Sequence, residues 1–151
     1  MDETFAAHGV QFRYPVGWEV SEQTRDGEWT VTVSSPHTSF WTLCLYDDRP
    51  DPESVLEAVL AAFREEYSEI DVYLAQARVC ARTTLAVDIE FVCWELLNSA
   101  WARVFRTDEF TALVLYQGND RELEETGEIM QRITRSLRCE GDVETVEQDG
   151  Q

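Results

Sequence analysis

The sequence predicts an α+β fold built around an antiparallel β-sheet. Short segments alternate apolar and polar residues as strands do, the turns between them are too short for parallel pairing, and two amphipathic helical segments interrupt them. The 151 residues, 44% of them hydrophobic, are enough for one domain with a substantial core and too few to argue for two. The expected order is therefore several strands, a helix, several strands and a second helix.

The first half of the chain contains a hairpin whose register can be predicted. The stretch "GVQFRYPVGWEV" reads as a strand, a turn and the start of a second strand. Asp26-Gly27 then supplies a two-residue turn, which places Val20 opposite Val33. Polar residues occupy the reverse side, so this hairpin is predicted to have one face in solvent.

Both predicted helices have recognisable starts. Asp51 is the expected N-cap of the first, with Pro52 at its first position, and Asn119 and Glu122 have capping-box spacing at the start of the second. Each helix has one apolar face that should dock on the sheet. The inward-facing residues are Leu56, Val59, Leu60, Phe63 and Tyr67 in the first helix, and Leu123, Met130, Ile133 and Leu137 in the second.

The stretch "FVCWELLNSAWARVFR" reads as two strands with apolar residues at both parities. We expect turns at Asn98-Ser99 and Asp108-Glu109, which would place Trp94 opposite Arg103. The apolar side chains on both faces of these strands must then be buried, either by the protein's own helices, by a second copy of the chain or by a partner. Because aromatic residues and Arg carry binding energy at interfaces but are also common in cores, the strands could serve either purpose. The candidate partner-binding residues are Trp94, Leu96, Trp101, Arg103, Phe105 and Tyr116.

The opening stretch "GVQFRYPVGWEV", with its aromatic-Pro step, its short turn and Trp18 at the start of the next strand, resembles the PsbP-like and Mog-type family, in its uncharacterised bacterial branch. The order of elements extends the resemblance over about residues 8–138. It implies an α/β/α sandwich, a central antiparallel sheet flanked by helices on both faces, as a single domain over residues 1–138. It also implies binding or assembly rather than catalysis. No functional residue of the family can be carried over to this chain.

Charge narrows the range of partners. Thirty acidic residues face twelve basic ones, for a formal net charge of -18, which disfavours nucleic acid and anionic membrane surfaces. All the basic residues are Arg, so Schiff-base and P-loop lysine chemistry is absent. Residues 139–151 contain five acids and almost nothing to bury, and we predict an acidic disordered tail there.

The expected compartment and cofactor content are based on targeting and metal-ligand patterns that the sequence does not show. It begins without the charged and apolar regions of a signal peptide and has no apolar stretch of membrane-spanning length, so we expect a cytoplasmic protein. The two histidines lie near turns or termini without metal-ligand spacing, and we expect no metal and no cofactor. Reduced thiols are expected at the four scattered cysteines, Cys44, Cys80, Cys93 and Cys139.

No catalytic motif stands out. Asp88 and Glu90 share one face of a strand, but without a pocket or nucleophile they are better explained as solvated or paired with Arg. We therefore predict a non-enzymatic protein-binding or adaptor module that takes a protein partner or forms a homodimer. The alternative is a small-ligand-binding protein or enzyme with a pocket between the sheet and the first helix, and a third possibility is a structural subunit of a larger assembly.

Overall fold

A computed structural model describes residues 1–140. Strands make up 53% of this part and helices 23%. Its elements, in chain order, are β1 (Asp2–Ala7), β2 (Val10–Pro15), β3 (Glu19–Arg25), β4 (Glu28–Ser34), β5 (Phe40–Tyr46), α1 (Pro52–Glu66), β6 (Ile70–Ala75), β7 (Arg78–Val79), β8 (Arg82–Thr83), β9 (Leu85–Cys93), β10 (Leu96–Arg106), β11 (Thr111–Asn119), α2 (Asp120–Ser136) and β12 (Arg138–Cys139).

A seven-stranded sheet forms the centre of the molecule. Its strand order is β3-β4-β5-β11-β10-β9-β6, and every neighbouring pair is antiparallel. A second sheet has the order β1-β2-β12, and β7 and β8 form a small separate hairpin. Antiparallel pairing is what the short connections predicted.

The predicted α/β/α sandwich is wrong. Residues 1–140 form a β-rich fold with only two helices, and no helical layer covers the central sheet. On one face, α2 shares the covering role with the three-stranded sheet, two of whose strands the sequence did not reveal. On the other face, α1 packs on β10 and β9. On the α2 face, strands of the smaller sheet thus supply part of the cover that the sandwich would take from helices.

The core is divided between the two faces of the central sheet. One cluster joins the sheet to α2 and the smaller sheet, with Trp41, Phe12 and Met130 fully buried. The other joins it to α1 and includes Ile89 and Phe63. The distribution follows the alternation of side chains along each strand, which sends neighbouring residues to opposite clusters.

Strand β1 was missed because its sequence, DETFAA, has little of the composition of a strand. Its Phe5 nevertheless stacks on Phe12, with ring centroids 5.1 Å apart, and lies 6.0 Å from the ring of Trp29. Strand β1 is therefore attached both by its six-residue pairing with β2 and by the packing of this aromatic side chain.

Both helix starts and the first hairpin are as predicted. The Asp51 carboxylate accepts a hydrogen bond from the Glu53 amide at 3.3 Å. The Asn119 side chain accepts one from the Glu122 amide at 3.0 Å, and its own amide group donates to the Glu122 carboxylate at 2.8 Å. In the hairpin, β3 and β4 pair through the Asp26-Gly27 turn with Val20 opposite Val33.

The predicted turn at Asn98-Ser99 is wrong, although the one at Asp108-Glu109 is confirmed. Strands β9 and β10 are joined at Trp94-Glu95, with Cys93 paired to Leu96. Arg103 therefore lies opposite Ala86 and not opposite Trp94. The error arose because Asn and Ser are favoured turn residues, whereas pairing of nine residues on each strand decides the register.

The C-terminal strand extends the folded part slightly beyond residue 138. Cys139 pairs with Val10 of β2 and is buried, so it belongs to the small sheet. The rest of the predicted tail, from residue 141 onward, lies outside the described residues. Within residues 1–140, neither helix has the length and apolar character needed to cross a membrane.

Candidate functional site

The structure separates the six residues proposed for partner binding. Trp101, Arg103 and Phe105 alternate along β10 on the face that α2 covers in part, and Tyr116 joins them because it pairs with Trp101. Leu96 has the other parity on β10 and points to the opposite face. Trp94 lies at the tip of the β9–β10 hairpin.

Two of the six residues belong to the core. Phe105 is 3% exposed and Tyr116 is 5% exposed. Burial raises the pKa of the Tyr116 phenol above its usual value, in spite of the nearby Arg103 guanidinium, which acts in the opposite direction. These rings are inaccessible to a partner.

Arg103 is also engaged in contacts within the protein. It is 9% exposed, and its guanidinium donates to the Asp88 carboxylate at 2.9 Å and to the Val87 carbonyl at 3.1 Å. Of the two explanations that the sequence left open for Asp88, solvation or pairing with Arg, the structure shows the pairing. Arg103 positions that carboxylate and is not available to contact a partner.

Trp94 is the most prominent exposed aromatic residue. Its side chain is 91% exposed, and both turn residues have left-handed backbones, with φ of 53° at Trp94 and 65° at Glu95. Turns of this kind favour Asn-Gly, because residues with a Cβ are strained there. Strained backbones of this kind cluster at functional sites, and here the strain holds an indole ring in solvent. Trp94 is therefore a candidate for contact with a binding partner.

Sequence reasoning missed the apolar neighbours of Trp94. Val92 lies directly opposite Leu97 across β9 and β10, and the two side chains are 64% and 42% exposed. Tyr73 of the adjacent strand β6 is 50% exposed and pairs with Asp88. Correct placement of the turn would have revealed this strip, because Val92 and Leu97 then fall on one face. We call the set the open face: Tyr73, Asp88, Glu90, Val92, Trp94, Leu97 and Trp101.

The open face exists because α2 does not extend over it. That helix packs on β11 and β2 and more lightly on β10, while α1 lies on the other side of the sheet. Trp101 marks the boundary, since its ring stacks on buried Tyr116 with centroids 5.2 Å apart and planes at 19° while remaining part-exposed. Beyond Trp101, the α2-side surfaces of β9 and β6 face solvent.

The open face carries negative charge. Glu90 accepts a hydrogen bond from the Tyr73 hydroxyl at 3.3 Å, and Asp71 lies opposite Glu90 across β6 and β9. The Glu90 carboxylate, followed by that of Asp71, raises the pKa of the Tyr73 phenol, as neighbouring negative charges do. A ligand for this surface should therefore combine apolar groups with positive charge.

The two edges of the central sheet differ in protection. Edge strand β3 carries Glu19, Glu22 and Arg25 in seven residues, and such charges discourage pairing with another chain. Edge strand β6, of sequence IDVYLA, has Asp71 as its single charged residue, and its Leu74 is 92% exposed. The edge next to the open face is thus the less protected of the two.

Cavities lie elsewhere. An apolar groove of about 370 Å³ runs along α1 beside Tyr46, near the place predicted for a ligand pocket. A larger cleft of about 720 Å³ is formed at one end of the molecule by several turns, and there the His8 ring lies 4.4 Å from the Trp29 ring. Residues 1–140 contain no group of His, Cys, Asp and Glu side chains arranged to hold a metal ion.

Comparison with known proteins gives similarity of fold alone. No family model and no curated protein matches the chain, so the resemblance to PsbP-like and Mog-type proteins has no support from these comparisons. A crystal structure from Bacteroides thetaiotaomicron VPI-5482 is similar with a TM-score of 0.58 and 8% identity, over 90% of this chain and 47% of that one. The chain thus spans about half the length of that protein.

A second similar structure is LpqN, described as involved in cell envelope biogenesis of Mycobacterium tuberculosis. The TM-score is 0.52 and the identity 9%, over 91% of this chain and 90% of that one. At such low identity the likeness concerns the arrangement of strands and helices. It leaves the compartment of this protein open.

Proposed function

We propose that this protein is a non-enzymatic binding module that takes up an extended, basic segment of a partner protein on the open face and the adjoining edge of β6. The observation that carries the proposal is the exposed apolar strip of Val92, Trp94 and Leu97 beside an edge strand with little charge. An added strand would satisfy the unpaired backbone groups of β6, and pockets between side chains would supply specificity.

Charge complementarity selects the kind of partner. The open face presents the Glu90 carboxylate, with that of Asp71 beside it, whereas Asp88 is already paired with Arg103, and the whole chain has a formal charge of -18. A second copy of the chain would bring like charges together, whereas Arg or Lys side chains on a partner would pair with these carboxylates. We therefore favour a basic protein segment over a homodimer, a nucleic acid or a membrane surface, and keep the cytoplasm as the proposed compartment.

The test uses synthetic peptides that alternate valine with arginine, and the same peptides with glutamate in place of arginine. We expect the basic peptides to bind in fluorescence anisotropy and the acidic ones to fail, with affinity that falls as salt is added. Substitution Val92→Lys should weaken binding at least about tenfold, because it places a positive charge, which repels the basic peptides, at the centre of the apolar strip.

Val16→Lys is the matched control, since Val16 is 57% exposed in a turn outside the open face and Val92 is 64% exposed. Equal weakening by the two substitutions would argue against the open face. A dimer in native mass spectrometry that Val92→Asp dissociates would establish a second copy of the chain as the occupant and overturn the choice of a basic partner.

The alternative function, small-ligand binding, has its best support in the end cleft. Its volume of about 720 Å³ is in the range of ligand sites, and the His8-Trp29 pair places two rings against it. A metabolite bound there should raise the melting temperature of the wild-type protein and not that of His8→Ala. A panel of metabolites without effect would remove this alternative.

A further inference from the structure

Two cysteines from distant parts of the chain meet in the core. The Sγ atoms of Cys80 and Cys139 lie 3.4 Å apart although the residues are separated by 59 positions. Cys80 occupies the turn between β7 and β8, whereas Cys139 lies in β12 of the smaller sheet. Their contact joins the hairpin that precedes β9 to the last strand of the described chain.

The turn that presents Cys80 is an unfavourable one. Cys80 and Ala81 have φ of 53° and 60°, a left-handed pair without glycine. The Arg78 guanidinium donates to the Ala81 carbonyl at 2.6 Å, and the Arg82 guanidinium lies 6.0 Å from the centre of the Phe105 ring. These contacts hold the turn in place, and the Cys80 thiol approaches the Leu137 carbonyl at 3.4 Å.

We infer that Cys80 and Cys139 form a reversible intramolecular disulfide by exchange with a small disulfide oxidant of the glutathione class. The sulfur atoms need to approach from 3.4 Å to a bonding distance of about 2.05 Å, a change that small side-chain rotations can provide. Cys80 is 8% exposed and Cys139 is 2% exposed, so exchange begins at Cys80 when the hairpin opens locally.

The exchange balances with one oxidant molecule. The Cys80 thiolate attacks one sulfur of oxidised glutathione, a protein–glutathione disulfide forms, and one glutathione thiolate leaves. The Cys139 thiolate then attacks the Cys80 sulfur, which forms the internal disulfide and releases the second glutathione. Two protein thiols are oxidised, one glutathione disulfide is reduced, and the two thiol protons end on the two glutathione molecules.

The other two cysteines cannot form the same bond. Cys44 lies on β5 and Cys93 on β9, with β11 and β10 between them, which separates the strands by about 14 Å at 4.7–4.9 Å per step. Cys80 and Cys139, whose sulfur atoms lie 3.4 Å apart, are therefore the pair placed to form a disulfide.

The crosslink would restrain the connection between β6 and β9. That connection contains the β7–β8 hairpin, which belongs to neither larger sheet. A disulfide here closes a loop of 59 residues and so removes conformational freedom from the unfolded chain. We expect the oxidised protein to melt about 10 °C higher than the reduced protein.

The experiment incubates the reduced, folded protein with increasing oxidised glutathione under native conditions. Intact mass spectrometry should show the loss of two hydrogen masses without a retained glutathione adduct. Digestion without reductant should recover a peptide that links Cys80 to Cys139. The variants Cys80→Ser and Cys139→Ser should lose this species, and Cys44→Ser/Cys93→Ser should keep it.

Three results would overturn the inference: no mass change in folded protein, a glutathione adduct that never resolves, or linkage involving Cys44 or Cys93. Circular dichroism during the titration establishes that the protein stays folded. Since the serine variants could fail to fold, the decisive readout is the linked peptide from wild-type protein, and its appearance only in denaturant also counts against the pair.

Discussion

Trp101 and Tyr116 stack directly across the β10–β11 pair, with ring centroids 5.2 Å apart and ring planes inclined by 19°. Tyr116 is buried, whereas Trp101 is part-exposed and forms the margin of the open face. This contact therefore marks where the core ends and the exposed surface begins. The boundary also explains why the sequence alone could not assign these aromatic residues to the core or to an interface. Some of them are buried and others are exposed.

We expect the two rings to be coupled energetically. In a double-mutant cycle of Trp101→Leu and Tyr116→Leu, the interaction energy should be about 0.5–1.5 kcal/mol beyond the separate losses of packing. Urea unfolding of the wild type, both single variants and the double variant measures it. Additivity within about 0.3 kcal/mol would mean that the stacking geometry contributes nothing of its own.

Asp88 and Glu90 should differ in their contribution to stability. Removing the Asp88 carboxylate leaves the guanidinium of Arg103, whose side chain is 10% exposed, with carbonyl acceptors only. We expect Asp88→Ala to cost about 1 kcal/mol, less than a fully buried pair would, because the Asp88 side chain is 39% exposed. Glu90→Ala is the control two positions away and should be nearly neutral. Equal costs in urea unfolding would contradict this account.

The local features of the fold could be predicted from the sequence. Asp51 and Asn119 start their helices, and Asp26-Gly27 fixes a hairpin register, because the residues that decide each of these lie within a few positions of one another. The strands β1 and β12 could not be predicted, because their pairing with β2 depends on contacts such as Phe5 with Phe12. The α/β/α sandwich that the family resemblance implied is incorrect, because these strands and α2 together cover one face of the central sheet.

The candidate site was predicted only in part, for the same reason. Trp94 and Trp101 do lie at the exposed end of the sheet, but Phe105 and Tyr116 are core and Leu96 is on the other face. Tyr73 was missed because strand β6 neighbours β9 through pairing that no local pattern reports.

Stability should depend on pH through Glu122. Burial disfavours its charged form, but hydrogen bonds from Thr38 and Ser39 outweigh burial and lower the pKa of Glu122 below its usual value. A carboxylate with a lowered folded-state pKa stabilises the fold above its unfolded pKa of about 4.3 and loses this contribution as pH falls through the folded value. Glu122→Gln should therefore cost about 1 kcal/mol at pH 7 and progressively less in acid.

Urea unfolding of wild type and Glu122→Gln between pH 7 and pH 3 measures this difference. Glu124→Gln, on the same helix, is the control for loss of a carboxylate, because the hydrogen bonds from Thr38 and Ser39 reach Glu122. A Glu122 difference that stays constant or grows in acid would show that the hydrogen bonds do not favour the charged form.

At the hairpin tip, we expect one substitution to increase the stability of the fold and to weaken peptide binding. Trp94 and Glu95 hold left-handed backbones that Asn and Gly adopt at much lower cost, and Trp94 at 91% exposure has little packing to lose. We expect Trp94→Asn/Glu95→Gly to raise the free energy of unfolding by about 1 kcal/mol, measured in urea, and to weaken binding of the basic peptides. A stabilised variant with unchanged peptide affinity would place Trp94 outside the binding surface, and a destabilised one would show that the indole ring supports the fold.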